Sequence, residues 1–128
     1  MADSIAFKHL FEAGSIAFIG SSTNLFKWGF NVLHNIVARW FTGHIYPVNP
    51  GGGTWFGRPV YTDLKELPSG VDLAIIVVKD TLVKETVEKC VAKRIPMGIV
   101  ITAGFSETGE KGARLEREIV ETARRGGM

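Results

Sequence analysis

Apolar residues along this chain follow two alternating rhythms, short β-rich runs and longer stretches with helical spacing. Ser15-Ile16-Ala17-Phe18-Ile19-Gly20 is a compact apolar run closed by glycine, the form of a buried strand that turns sharply at its end. After a polar loop, Phe30, Leu33, Ile36, Val37 and Trp40 recur at helical spacing, which predicts a helix from Trp28 to Trp40. His44-Ile45-Tyr46-Pro47-Val48 reads as a second strand. Its proline removes a ladder donor, so this strand is expected to be short or at an edge. Asn49-Pro50-Gly51-Gly52-Gly53 is a turn by composition. Thr54 to Val60 holds one extended stretch. Asp63-Leu64-Lys65-Glu66 has the form of a helix start, with Asp63 as cap and Glu66 three residues on.

Val71 to Val78 is almost wholly apolar, as a central parallel strand covered on both faces should be. Asp80 or Thr81 is placed to cap the helix that follows. Val83, Val87, Cys90 and Val91 form the buried stripe of that helix, and Lys89, Lys93 and Arg94 suit its C-terminal dipole. Met97 to Thr102 is a fourth strand. Leu115, Ile119, Val120 and Ala123 mark a last helix, with Arg117 and Glu121 spaced as an i,i+4 pair on its wet side. The order is β-α-β-(α)-β-α-β-α. It predicts an α/β fold, a Rossmann-like three-layer sandwich around a parallel sheet with right-handed crossovers. After the last helix the alternation calls for another strand. The expectation is an N-terminal fragment of a larger multidomain protein, lacking its last strand through truncation.

A length of 128 residues suits one domain spanning the whole chain. The charge is +2, from 15 basic and 13 acidic residues, and no run of like charges breaks the balance. That argues against nucleic acid as a partner. Cys90 is the one cysteine, so no internal disulfide can form and a reducing compartment is expected. There is no apolar run of about 18 residues and no signal-peptide layout at the N-terminus. The expectation is a cytoplasmic protein with no membrane partner. His9, His34 and His44 have no second ligand at metal-binding spacing, so no metal site is expected. Cys90 sits on a helix stripe with no histidine near it in sequence, so a core role is expected for it rather than a nucleophilic one. No catalytic residue is expected within the chain.

In parallel α/β sheets the ligand lies at the carboxyl ends of the strands, which directs attention to the loops after Ile19, Val48, Val78 and Ile101. Gly20-Ser21-Ser22-Thr23-Asn24 is small and polar and leads into a helix. Its amides and the helix N-terminus suit a phosphate, with Lys27 adding charge. The dinucleotide fingerprint G-x-G-x-x-G is absent. The second strand ends in Val48-Asn49-Pro50, without the carboxylate that holds an NAD ribose. An NAD(P)-binding redox protein is therefore the weaker reading, whereas a ribose that carries a phosphate meets no repelling carboxylate there.

Four segments together resemble the CoA-binding domain of the NDP-forming acyl-CoA synthetases, a group related to the α subunit of succinyl-CoA synthetase. Ser15 to Ser22 is similar to that family's opening strand and G-A-S turn. Ile45-Tyr46-Pro47-Val48-Asn49-Pro50 is similar to its Y-P-V-N-P motif, Val71 to Val78 to its V-D-L-A-V-I strand, and Ile101 to Gly109 to its S-A-G-F-x-E-T-G motif. The resemblance implies coenzyme A or an acyl-CoA as ligand. Gly20, Ser21, Ser22 and Thr23 would hold its phosphates. Asn49 and Pro50 would shape the loop beside the nucleotide, and Val78 and Lys79 would flank the adenosine. Ile101, Thr102 and Ala103 would line the pantetheine arm. The implied parent is an ADP-forming acyl-CoA synthetase, an acid-CoA ligase whose other domains or subunits are partners of this one. A stand-alone CoA-binding regulatory protein and a domain of a protein acetyltransferase are the alternatives. The family often carries lysine just after the N-P pair and V-P-A after the third strand. Here Gly51-Gly52-Gly53 and Val78-Lys79-Asp80 stand instead, so Lys79 or Arg58 is a candidate to take over phosphate neutralisation.

Overall fold

A computed structural model describes residues 2–20, 28–38 and 41–128. It begins with a helix that the sequence reading did not pick out, α1 (Ala2–Phe11), followed by strand β1 (Ser15–Ile19), helix α2 (Trp28–Ala38) and strand β2 (His44–Val48). Two short strands, β3 (Thr54–Trp55) and β4 (Arg58–Pro59), form a hairpin where one extended stretch was expected. Strand β5 (Leu73–Ile76), helix α3 (Asp80–Ala92), strand β6 (Met97–Val100) and helix α4 (Glu110–Arg125) complete the chain.

The four longer strands make one parallel sheet in the order β2-β1-β5-β6. The chain moves outward from β1 to β2, then crosses back over β1 to β5. That reversal puts the switch point of the strand order between β1 and β5, where α/β sheets open a crevice for ligands. β2 is an edge strand, and Pro47 pairs with Phe18 there without interrupting a central ladder. The chain returns beside it through Tyr61, whose amide donates to the Pro47 carbonyl at 2.9 Å.

Strand alternation divides the core between the two faces of the sheet. Ala17, Ile19, Ala74 and Ile76 point to the side of Val83, Val87, Cys90 and Ile119, the buried faces of α3 and α4. Ile16, Phe18, Leu73 and Ile75 point to the other side, with Ile36 and Val37 of α2 and Leu10 next to α1's end packed against them. The result is three layers. Phe30, Leu33 and Trp40, expected on the stripe of α2, lie outside the residues whose side chains the structure describes.

Several local expectations are corrected. Asp63 caps only one 3-10 turn, Leu64–Glu66, by accepting the Lys65 amide at 2.9 Å. Glu66 turns to the Thr62 hydroxyl instead of completing a capping box. Neither Asp80 nor Thr81 caps α3. Lys79 occupies the cap position without a side-chain bond, and Asp80 is the first helical residue. Arg117 reaches back one turn further than a helical pair to Glu110, at 3.0 Å, rather than to Glu121. Val120 is 40% exposed. Among the described residues no helix is long and apolar enough to cross a membrane, and no group of three or more His, Cys, Asp or Glu side chains could hold a metal ion.

Candidate functional site

The switch point carries a cleft of about 230 Å³. Its floor is built from strand ends, with Ile19 and Gly20 after β1, Val48 and Pro50 after β2 and Val78 after β5. Gly20 is irreplaceable on two counts. Its φ is +94°, and a Cβ there would lie 2.0 Å from the Val77 carbonyl oxygen. Only glycine accepts both the left-handed backbone and the close approach. Its amide donates to the Val48 carbonyl at 2.9 Å, and the Val77 amide donates to Ile19 at 2.8 Å. The ladder thus extends past the last strand residues into the cleft floor.

Asn49 shapes its own loop. Its Oδ1 accepts the Gly51 amide at 2.8 Å and its amide donates to Tyr61 at 2.8 Å. This is an Asx turn that leaves Pro50 on the cleft wall. The loop after β6 runs alongside. The Ile101 amide donates to Ile76 at 2.9 Å, and the Thr102 hydroxyl donates to the Val78 carbonyl at 2.8 Å. Thr102 therefore fastens the last loop to the third one, and Ile101 and Ala103 are exposed beside it. Further along, the Glu107 carboxylate accepts the amides of Gly104 and Phe105. Those backbone bonds, with the Gly104 one foremost, hold its carboxyl below the usual carboxylate range. Glu107 thereby closes this loop on itself.

The sequence-derived residues Gly20, Asn49, Pro50, Val78, Lys79, Ile101, Thr102 and Ala103 thus gather at the carboxyl end of the sheet. Gly20, Pro50 and Val78 line the cleft itself. Lys79 is exposed next to Val78 at the start of α3. Arg58 sits in the β3–β4 hairpin opposite Trp55 and is not among the cleft residues. Ser21, Ser22, Thr23 and Lys27 lie outside the described residues.

The structure adds a wall that sequence reading missed. Thr62, Asp63 and Leu64 approach from the segment after β4, and Leu82, Glu85, Thr86 and Lys89 from α3. Their spacing of three, four and seven residues from Leu82 places the α3 set on one helix face, adjacent to the buried stripe of Val83, Val87 and Cys90. The signal was present in the sequence as a second stripe, but a mixed stripe of Leu, Glu, Thr and Lys looks like an ordinary solvated face. Lys89 Nζ lies 3.4 Å from Glu85 and 4.0 Å from Asp63. The Lys65 amide holds the Asp63 carboxyl below its ordinary range; desolvation opposes it, and the Lys89 and Lys65 ammoniums add smaller pulls in the lowering direction.

Known proteins share sequence and fold with this chain. Residues 14–128 match the family model described as the CoA binding domain. The chain is 39% identical over 121 residues to the ADP-forming acetate–CoA ligase II of Archaeoglobus fulgidus, a match that covers 94% of this chain and 18% of that one. It is 42% identical over 120 residues to the α subunit of the ADP-forming acetate–CoA ligase II of Pyrococcus furiosus, covering 94% and 26%. Among solved structures it is similar to the dinucleotide-forming acetyl-coenzyme A synthetase 1 of Ca. Korarchaeum cryptofilum in complex with phosphate and ADP. There the TM-score is 0.92 at 33% identity, over 100% of this chain and 26% of that one. The chain therefore spans between about a sixth and about a quarter of the length of these relatives.

Proposed function

The chain belongs to the CoA binding domain family, and from that premise we propose that it is the CoA-holding domain of an ADP-forming acyl-CoA synthetase. The parent reaction would join an acid to CoA at the expense of ATP, through an acyl phosphate and a phosphohistidine carried elsewhere. This chain would not perform that reaction by itself. CoA is then a substrate that the domain binds and presents, and the other domains or subunits of the ligase are its partners.

The observation that carries the reading is the glycine-only approach of Gly20 to Val77 at the switch point. A central strand that ends in such a glycine at the switch point suits an anion-binding turn, and a helix start adds its dipole. Gly20 with Ser21, Ser22, Thr23 and Lys27 would hold the phosphates, and Asn49 would keep Pro50 against the nucleotide. Val78 and Lys79 would flank the adenosine. The pantetheine arm would leave along Ile101, Thr102 and Ala103, with its thiol directed toward the catalytic domains. β2 ends in Val48-Asn49-Pro50, with no acid at the position that holds an NAD ribose, which supports CoA over NAD(P).

Calorimetric titration of the chain with CoA and with NADH tests the reading. Saturable binding of CoA alone is the expected result. Binding of NADH without CoA would overturn it.

A further inference from the structure

The wall that α3 and the segment after β4 add to the cleft has a chemistry of its own. Two carboxylates, Asp63 and Glu85, face the Lys89 ammonium, and the Lys65 ammonium also acts on Asp63. Carboxylates and ammoniums balance, so this side of the cleft offers no net positive charge to hold a phosphate. The remaining lining is apolar, with Ile19, Val48, Leu64 and Val78 prominent. A volume of about 230 Å³ is below the roughly 300–1,000 Å³ of pockets that enclose a whole drug-sized ligand, so it takes one part of a larger molecule. The occupant suited to it is uncharged, flat and apolar on its faces, and carries hydrogen-bonding groups on its edge. Within CoA that description fits the adenine ring.

We propose that Asp63 and Lys89 read the edge of the base and make this domain specific for adenine over 6-oxopurines. The inference rests on the CoA reading above. Asp63 Oδ1 is committed to the Lys65 amide, and its second oxygen faces Lys89 Nζ at 4.0 Å. The wall therefore presents an acceptor and a donor side by side. Adenine offers the complement, an exocyclic amino donor next to a ring-nitrogen acceptor. A 6-oxopurine places a carbonyl acceptor where the amino group was, and that carbonyl would face the ionised Asp63 oxygen. Discrimination at a pair of this kind is worth roughly tenfold to a hundredfold in affinity.

The test is calorimetry with CoA and with its deaminated analogue, in which hypoxanthine replaces adenine, on the wild-type chain and on Asp63→Asn and Lys89→Met. Asparagine keeps the oxygen that caps Lys65 and turns an amide donor toward the base. The wild-type chain is expected to prefer CoA by about tenfold or more, and Asp63→Asn to lower that ratio to one or below. Lys89→Met, which leaves the cap intact, is expected to weaken CoA about tenfold. Circular dichroism confirms that each variant is folded before its ratio is read. Equal binding of the two ligands by the wild-type chain, or an unchanged CoA affinity in Lys89→Met, would overturn the base-reading pair while leaving CoA as ligand. Binding of neither ligand by the wild-type chain would overturn the CoA reading and this inference with it.

Discussion

Gly20 and Val77 meet so closely that a Cβ on residue 20 would stand 2.0 Å from the Val77 carbonyl oxygen. The contact joins the ends of the two central strands, β1 and β5, where the strand order reverses. Gly20→Ala must therefore push those ends apart as well as hold alanine at a φ of +94°. The dihedral alone costs about 1–2 kcal/mol, and the displaced carbonyl adds to it. The expected outcome is a loss of at least about 2 kcal/mol of stability, read from urea denaturation, together with loss of CoA binding in calorimetry. A variant that kept both would show that the cleft floor is not built on this contact.

The loop after β6 is held in part by one carboxylate. Glu107 accepts the amides of Gly104 and Phe105, and those bonds lower its pKa from the ordinary value of 4.5. Since the folded value is the lower one, its contribution is fully present above about pH 4.5. It is lost as the pH falls through the folded value. Thermal melting of the wild-type chain and Glu107→Gln across the acid range should show the wild type ahead near neutrality and the gap closing below pH 4.5. A gap independent of pH would mean that the carboxylate charge does not hold this loop.

Cys90 gives the opposite sign. It is fully buried between α3 and the sheet, and desolvation pushes its thiol from 9.0 up to about 12. A raised folded value contributes stability that is whole below pH 9 and lost as the pH rises toward 12. Native protein at pH 8 should therefore label with a disulfide reagent only as fast as it opens, and at once in denaturant. Cys90→Ala should flatten the alkaline fall in melting temperature. Rapid labelling of the native chain would place the thiol at the surface.

Much of this fold was legible because burial on both sides of a parallel sheet leaves an unmistakable apolar run. Ser15 to Ile19 and the heart of Val71 to Val78 were read as strands for that reason, and both lie in the middle of the sheet. Helix α1 escaped notice because its residues share little apolar periodicity and its last turn is held from outside. His9 Nδ1 lies 3.2 Å from Asp72 Oδ1, and the Gly14 amide donates to Asp72 Oδ2 at 2.9 Å. No local pattern encodes contacts across about sixty residues. At the site, glycine, proline and turn motifs marked the strand ends directly. The Asp63 and Lys89 wall was hidden, because charged residues on a helix and a turn look like solvated surface until tertiary folding brings them together.

The Asp72 contacts make their own prediction. Asp72→Ala removes the acceptor of the Gly14 amide and the partner of His9 at once. Each is a partly exposed bond worth about 1 kcal/mol. The loss should total about 1–2 kcal/mol and fall mainly on α1. Hydrogen exchange should show faster amides in residues 2–14 and little change in β5. A uniform acceleration over the whole chain would instead mean that α1 and the sheet unfold as one unit.

The last prediction decides which cation stands in for the lysine that Gly51 to Gly53 displace. Arg58 is held in a hairpin with Trp55 and does not line the cleft. Lys79 adjoins Val78, which does line it, and is free of any side-chain cap bond at the start of α3. An ammonium there would add to the helix dipole at the end where the phosphates are proposed to lie. Its exposure means salt screens it, so the expected effect is modest. Lys79→Ala should weaken CoA about fivefold at low ionic strength and less at high salt, whereas Arg58→Ala should leave the affinity within twofold or so of wild type. Calorimetric titrations at two salt concentrations separate the cases. A larger loss from Arg58→Ala than from Lys79→Ala would move the phosphates away from α3 and toward the hairpin.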